Sequence, residues 1–118
     1  MKKILCFFLM ILMIIVSCSK SAETKSTTTT TTDCSGVPQS FVNDVNPIIQ
    51  TNCATNSGCH GAGSLNGPGP LLTYSEIFSA RADISGAVST GVMPLGGSLT
   101  TAQKNSIICW ISSGAINN

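Results

Sequence analysis

Cys53, Cys59 and His60 stand in the segment CATNSGCH, and His60 is the only histidine of the chain. A Cys-His pair with a second cysteine upstream is typical of covalent haem attachment, for which the usual spacing is C-x-x-C-H. Here five residues separate the cysteines. A straight helix turns by about 600° over six residues, so regular helix would direct the two sulfurs to opposed faces. We expect the turn-forming insert Asn56-Ser57-Gly58 to loop out and bring the cysteines back together.

Met93 is the only methionine of the chain beyond the predicted leader. It lies in the irregular stretch GVMPLGG, where Pro94 disfavours helical backbone at the preceding residue. We therefore expect Met93 to be presented from extended chain. Between His60 and Met93 lies GAGSLNGPGP, whose glycines and prolines predict a loop. A loop with so few side chains allows backbone to lie close against something flat or bulky.

Helical patterns surround these loops. An apolar stripe with helical spacing includes Phe41, Val42, Val45, Ile48 and Ile49 and runs into the first cysteine of the motif. Ser40 is a candidate cap for this helix. Pro47 either kinks it or opens a second short helix capped by Asn46.

Two capping boxes predict the remaining helices. Thr73-Tyr74-Ser75-Glu76 predicts a helix over 74–82, and residues 84–89 add a turn or two before Gly91. Thr100-Thr101-Ala102-Gln103 predicts a last helix over 101–112, with Gly114 as the residue that follows its end. No alternating strand pattern is present. The predicted fold is a small all-α domain of three to five short helices with Gly-rich loops.

The N-terminal segment reads as an export signal. Lys2 and Lys3 precede an apolar run over 4–16, which is shorter than the ~20 residues that a spanning helix requires. Ile15-Val16-Ser17-Cys18 resembles the lipobox of bacterial lipoproteins, in which the cysteine is acylated. This resemblance implies a signal peptide over 1–17 and a lipid anchor at Cys18. The alternative is an ordinary cleaved signal that leaves Cys18 as a spare thiol.

A Ser/Thr-rich tether over 18–32 and a folded domain over 33–118 are expected after the signal. Either form of signal predicts export to the cell envelope, as a periplasmic or cell-surface protein. The domain contains four acidic side chains against two basic ones: Asp33, Asp44, Glu76, Asp83, Arg81 and Lys104. This balance argues against a nucleic-acid partner.

A domain of this size is only marginally stabilised by its own core, so an additional contribution is expected. After the leader and the lipid site are set aside, Cys34, Cys53, Cys59 and Cys109 remain. In an oxidising compartment these cysteines would be paired or otherwise occupied.

Most of residues 41–116 resembles the class I cytochrome c domain, especially the haem domains of exported bacterial proteins and lipoproteins. The resemblance is carried by Val45-Asn46-Pro47-Ile48-Ile49, Cys59-His60-Gly61, Leu72-Thr73-Tyr74, Gly91-Val92-Met93-Pro94, and Ile107 through Trp110-Ile111 to Gly114-Ala115. It implies one haem c, with thioether bonds from Cys53 and Cys59 and with His60 and Met93 as the axial iron ligands.

The same resemblance implies a monomeric electron carrier with a redox protein partner, and not an enzyme, because both axial positions are filled. It also implies a haem packed by six side chains: Phe41, Leu72, Tyr74, Phe78, Ile107 and Trp110. The terminal helices of cytochromes c pack together, which suggests a Cys34–Cys109 disulfide.

Other interpretations of the same residues remain open. A non-redox exported lipoprotein module could be stapled by Cys53–Cys59 and Cys34–Cys109, one of three connectivities for four cysteines. A blue-copper site requires two histidines, and this chain has one. A four-cysteine zinc site would need thiols that stay reduced outside the cytoplasm. Catalysis by Cys59 with His60 lacks an evident partner carboxylate.

Overall fold

The computed structural model describes residues 32–118. The signal peptide, the lipidation site at Cys18 and the tether up to residue 31 lie outside the described residues. The helices follow in chain order: a π-helical turn at Phe41–Val45, α1 at Asn46–Asn52, α2 at Tyr74–Ser79, α3 at Arg81–Thr90 and α4 at Thr101–Ser112. No strand occurs in this part of the chain, so the predicted all-α class is confirmed. None of the helices between residues 32 and 118 is long and apolar enough to cross a membrane.

The first helical segment begins where the sequence predicted, at Ser40. Its hydroxyl accepts a hydrogen bond from the Asn43 amide at 3.2 Å. The segment starts as a π-helical turn, and Pro47 lies in the first turn of α1, where a missing N–H costs little. Asn46 does not cap α1: its side-chain oxygen accepts a hydrogen bond from the Gln50 amide instead.

Both capping boxes form as predicted. Thr73 and Glu76 start α2, and Thr100 and Gln103 start α4. The observed α4 has the predicted bounds, and Gly114 follows its end with a positive φ of 100°. The predicted helix over 74–82 is interrupted at Ala80, after which the chain continues as α3 up to the left-handed residue Gly91.

The core lies where α4 packs against the first helical segment and against α3. Phe41, Tyr74 and Trp110 form its aromatic centre, with ring centroids 5.0 Å apart for Phe41 and Tyr74 and 5.4 Å apart for Phe41 and Trp110. The polar atoms of this cluster are satisfied: the Tyr74 hydroxyl donates to the Ala115 carbonyl, and the Trp110 indole N–H donates to the Ile116 carbonyl.

A disulfide joins Cys34, ahead of the first helical segment, to Cys109 in α4. Their Cα atoms are 5.5 Å apart and 75 residues separate them along the chain. This bond therefore closes nearly the whole described domain. The pairing agrees with the prediction made from the packing of terminal helices.

Candidate functional site

The four residues predicted to hold a cofactor line one cavity. Cys53, Cys59, His60 and Met93 all contribute to its wall, and its volume is about 480 Å³. Volumes of this order are typical of sites for small molecules and cofactors. The rest of the wall is mostly apolar and includes Ile49, Leu71, Ile84 and Val88, which also belong to the core. The cavity therefore lies directly on the folded core.

The segment between the two cysteines leaves the helix and loops out. Helix α1 ends at Asn52, and residues 55–59 are exposed. The Asn56 side-chain oxygen accepts from the Gly58 amide at 2.8 Å, which stabilises a tight turn. The His60 amide then donates to the Cys53 carbonyl at 2.9 Å, so the two ends of the loop are joined.

This hydrogen bond has a specific meaning for the spacing of the motif. In C-x-x-C-H the histidine follows the first cysteine by four residues, and an α-helix bonds the amide of residue i+4 to the carbonyl of residue i. The bond from His60 to Cys53 is the equivalent pairing, although here the histidine follows the first cysteine by seven residues. The predicted looping out of Asn56-Ser57-Gly58 thus brings the two ends of the motif as close as a single helical turn would.

The His60 ring is held in one orientation with one nitrogen free for a ligand. It is 7 % exposed, and its Nδ1 lies 3.0 Å from the Gly69 carbonyl oxygen. Because a carbonyl can only accept, Nδ1 carries a proton, and in the neutral imidazole this leaves the lone pair on Nε2. An imidazole that donates through one nitrogen to a backbone carbonyl is the usual arrangement of a metal-ligating histidine.

Met93 lines the same cavity, although it lies far from His60 in the sequence. It follows the left-handed Gly91 at the end of α3, and its amide donates to the Ala87 carbonyl at 3.2 Å. This bond ties the irregular Met-Pro stretch to the helix that forms one cavity wall. The side chain is half-buried. Met93 lies outside any helix, in the irregular stretch that the sequence predicted.

The two cysteines of the site are free thiols in different environments. Cys53 is partly buried against the core, whereas Cys59 is exposed. Burial raises the pKa of Cys53, and the Coulombic effect of the nearby Cys59 raises it further. Asp83 is the one Asp, Glu, Lys or Arg residue among those that line this cavity in the described part of the chain. The wall is otherwise suited to an apolar ligand.

One expectation about the cavity is wrong. None of the six side chains expected to pack a haem, which are Phe41, Leu72, Tyr74, Phe78, Ile107 and Trp110, lines the cavity. Five of them belong to the core or pack against it, while Leu72 is exposed. The apolar wall comes instead from α1, α3 and the loops between them. The aromatic rings pack against one another in the core, and not against the cavity.

Several residues that position the site had no signal in the sequence. Gly69 contributes only a backbone carbonyl, and the His60 carbonyl accepts from the Leu71 amide at 2.8 Å. Gln50 donates to the Leu71 carbonyl at 2.9 Å and fixes the same loop to α1. A backbone group has no identity in the sequence, and only the composition of GAGSLNGPGP indicated a close approach.

Within residues 32–118, no group of three or more His, Cys, Asp or Glu side chains is placed to hold a bare metal ion. No protein-family model, curated protein or solved structure matches this chain. What the cavity binds is therefore inferred from its own residues.

Proposed function

We propose that this chain is a c-type cytochrome that holds one haem covalently and transfers electrons at the cell envelope. The observation that carries the proposal is the hydrogen bond from the His60 amide to the Cys53 carbonyl. It supports an attachment motif in which a longer loop replaces the usual helical turn. That both cysteines, His60 and Met93 line one cavity supports the same conclusion.

The residues have separate roles in this proposal. The Cys53 and Cys59 thiols would hold the haem as thioethers, by addition to its vinyl groups, and no oxidant is required for such additions. The Nε2 atom of His60 and the sulfur of Met93 would hold the iron, and the Gly69 carbonyl would keep the imidazole in the required tautomer. The bound group supplies a reversible one-electron change at iron, whose potential a thioether ligand raises.

Electron transfer to a partner requires that the cofactor lie near the surface. Val92 and Leu95 line the cavity next to Met93 and are 60 % and 78 % exposed, so the cavity opens to solvent there. Because His60 and Met93 would fill both axial positions, no site remains for a substrate. A redox protein is the proposed partner, and the chain acts as a carrier, not as an enzyme.

The proposed location follows from the N-terminal sequence together with the disulfide. Disulfides form and persist in oxidising compartments, and Cys34–Cys109 is consistent with export. We place the lipid anchor at Cys18 and the domain on the Ser/Thr-rich tether, in the periplasm or at the cell surface. Acyl chains of the mature protein would hold it on the membrane without a spanning helix.

Reconstitution tests the proposal. The reduced haem-free protein is incubated with ferrous haem, and in parallel the chain is co-expressed with a haem-attachment system. We expect a Soret band and haem that stays on the protein in denaturing gels. Met93→Ala should retain attached haem but change its absorption spectrum and potential, whereas His60→Ala should lose the low-spin spectrum. Leu65→Ala, at a side chain that is 98 % exposed and does not line the cavity, is the control and should leave the spectrum unchanged.

The opposite outcome identifies the alternative function. A colourless protein under both conditions, with Cys53 paired to Cys59, would indicate a non-redox lipoprotein module stapled by two disulfides. An unchanged spectrum in Met93→Ala would remove Met93 from the ligand set and leave the rest of the proposal in place.

A further inference from the structure

Two side chains of the glycine-rich loop hold the carbonyl groups next to the second cysteine. The Asn66 side-chain amide donates to the Gly58 carbonyl at 2.8 Å and to the Cys59 carbonyl at 3.4 Å. The Ser64 hydroxyl also donates to the Cys59 carbonyl. Ser64 is 4 % exposed and accepts a hydrogen bond from the Asn66 amide nitrogen at 3.3 Å. Ser64 and Asn66 therefore form one connected clamp, named here the carbonyl clamp.

The clamp lies where helical backbone would otherwise fix the cysteine. In a helical C-x-x-C-H turn, the main-chain bonds of the helix determine where the second sulfur points. Residues 53–60 lie outside the helix. The Cys59 main-chain amide donates a hydrogen bond to the nearby Asn56 carbonyl at 3.0 Å, which is not a helical i to i−4 bond. Because Cys59 is exposed, packing does not fix its side chain either. Besides the main-chain bonds from His60 to Cys53 and from Gly61 to Asn56, the hydrogen bonds to the carbonyls of residues 58 and 59 orient the backbone that carries this side chain.

We infer that Ser64 and Asn66 are positioning residues. They orient the backbone of Cys59 so that its thiol and the Cys53 thiol face the same ligand. The clamp lets a five-residue spacing present both thiols to one ligand. This inference rests on the proposed function for its biological meaning, because two thioether bonds to one haem require both sulfurs at fixed positions. Its geometric part, the relative placement of two thiols, is a property of the haem-free protein.

A pair of isosteric substitutions isolates the clamp. Asn66→Asp removes the donor amide that holds the Gly58 and Cys59 carbonyls. Asn56→Asp makes the same chemical change, with the same added charge, in the neighbouring loop. It keeps the side-chain oxygen that accepts from the Gly58 amide, so its turn is preserved. Asn66→Gln, which retains a donor amide on a longer side chain, serves as the conservative rescue.

The first measurement uses haem-free protein with the Cys34–Cys109 disulfide intact. Dichloroacetone joins two nearby thiols through a short bridge, and peptide mass mapping identifies the Cys53–Cys59 product. Loss of one net hydrogen bond changes an equilibrium by about fivefold. We therefore expect bridging about fivefold slower in Asn66→Asp than in the wild type, near wild-type rates in Asn56→Asp, and partial recovery in Asn66→Gln.

The second measurement uses protein reconstituted with ferrous haem. Asn66→Asp should shift the product from two thioether bonds to one, with Cys59 as the unattached residue, and the pyridine haemochrome spectrum should shift accordingly. Ser64→Ala should act in the same direction. Thermal unfolding of each variant separates these effects from global instability.

The outcomes distinguish the two levels of the proposal. Equal bridging rates in Asn66→Asp and Asn56→Asp would overturn the clamp, whatever haem does. A slower rate in Asn66→Asp together with no haem uptake by the wild type would support the clamp and contradict the cytochrome function. A slower rate with complete double attachment in Asn66→Asp would contradict the role of the clamp in attachment.

Discussion

Gly61 shows how tightly the attachment loop folds back on itself. Its amide donates to the Asn56 carbonyl at 2.8 Å. A Cβ atom at Gly61 would lie 2.8 Å from the Asn56 carbonyl carbon and oxygen and 2.9 Å from its Cα. These neighbours are backbone atoms, so no side chain can move aside. Glycine is therefore required next to His60 for a steric reason, independent of any ligand.

Gly61→Ala is predicted to destabilise the haem-free domain by about 1–3 kcal/mol, the usual effect of overpacking. Gly86→Ala is the matched control, because Gly86 lies inside α3 and an added Cβ would meet nothing within 4 Å. Alanine there should stabilise by about 0.5–1 kcal/mol. Urea unfolding measures both. If Gly61→Ala were as stable as the wild type, the loop closure over Asn56 would be wrong.

At the scale of the helices, the two capping boxes differ in whether the side chain at the third helical position can titrate. Glu76 accepts from the Thr73 hydroxyl and amide and from the Leu72 amide, at 2.8 to 2.9 Å. The hydrogen bond from the Thr73 hydroxyl, followed by that from its amide, lowers the pKa of Glu76 below its ordinary value of 4.5. The equivalent residue of α4, Gln103, makes a similar bond and does not titrate.

The box of α2 is therefore predicted to weaken in acid. A carboxyl whose pKa is lowered by folding stabilises the fold above its unfolded pKa, and this stability is lost as the pH falls below 4.5 through the lower folded value. Glu76→Gln keeps the cap without the charge. Thermal unfolding across this pH range should show a smaller acid-induced loss in Glu76→Gln than in the wild type. Equal losses in the two proteins would exclude Glu76 as a source of the acid sensitivity. Asp33, whose pKa is also lowered, would then be the remaining source.

Local hydrogen bonds explain which elements could be predicted from the sequence. The ends of α4 depend on Thr100, Gln103 and Gly114, which all lie within a turn of the helix. The predicted bounds of α4 agree with the observed ones. The π-helical turn and the break at Ala80 have no comparable local signal.

The candidate site divides in the same way. Residues with distinctive chemistry, such as His60 and Met93, could be selected by type and order, and they line the same cavity. Gly69 and the carbonyl clamp could not be found, because their contribution is a backbone oxygen or a common polar side chain. The aromatic residues were assigned to the wrong surface, since composition does not distinguish packing against a ligand from packing against another ring.

On the scale of the whole domain, the disulfide and the cavity occupy separate parts of the chain. The cavity is lined by residues between Ile49 and Leu95, and neither Cys34 nor Cys109 contributes to it. The core that the disulfide stabilises contains Trp110, which is 1 % exposed. The domain thus has a buried core that includes residues which do not line the cavity.

Cys34→Ala with Cys109→Ala is predicted to destabilise the domain by about 2–4 kcal/mol, as expected for a disulfide that closes a long loop. Cys59→Ala in the haem-free protein is the control, because its thiol is exposed and unpaired. Thermal or urea unfolding compares them, and reduction of the wild type should reproduce the double variant. Alkylation of both Cys34 and Cys109 in an oxidised sample would show that the bond does not form.

The separation of disulfide and cavity also bears on the timing of events. The bond between Cys34 and Cys109 involves none of the atoms that line the cavity, so oxidation of this pair does not have to wait for a cofactor. The chain can close its long loop and bury Trp110 with Cys53 and Cys59 still free. Under the proposed function, oxidative folding and cofactor loading would then be separable steps, each with its own pair of cysteines.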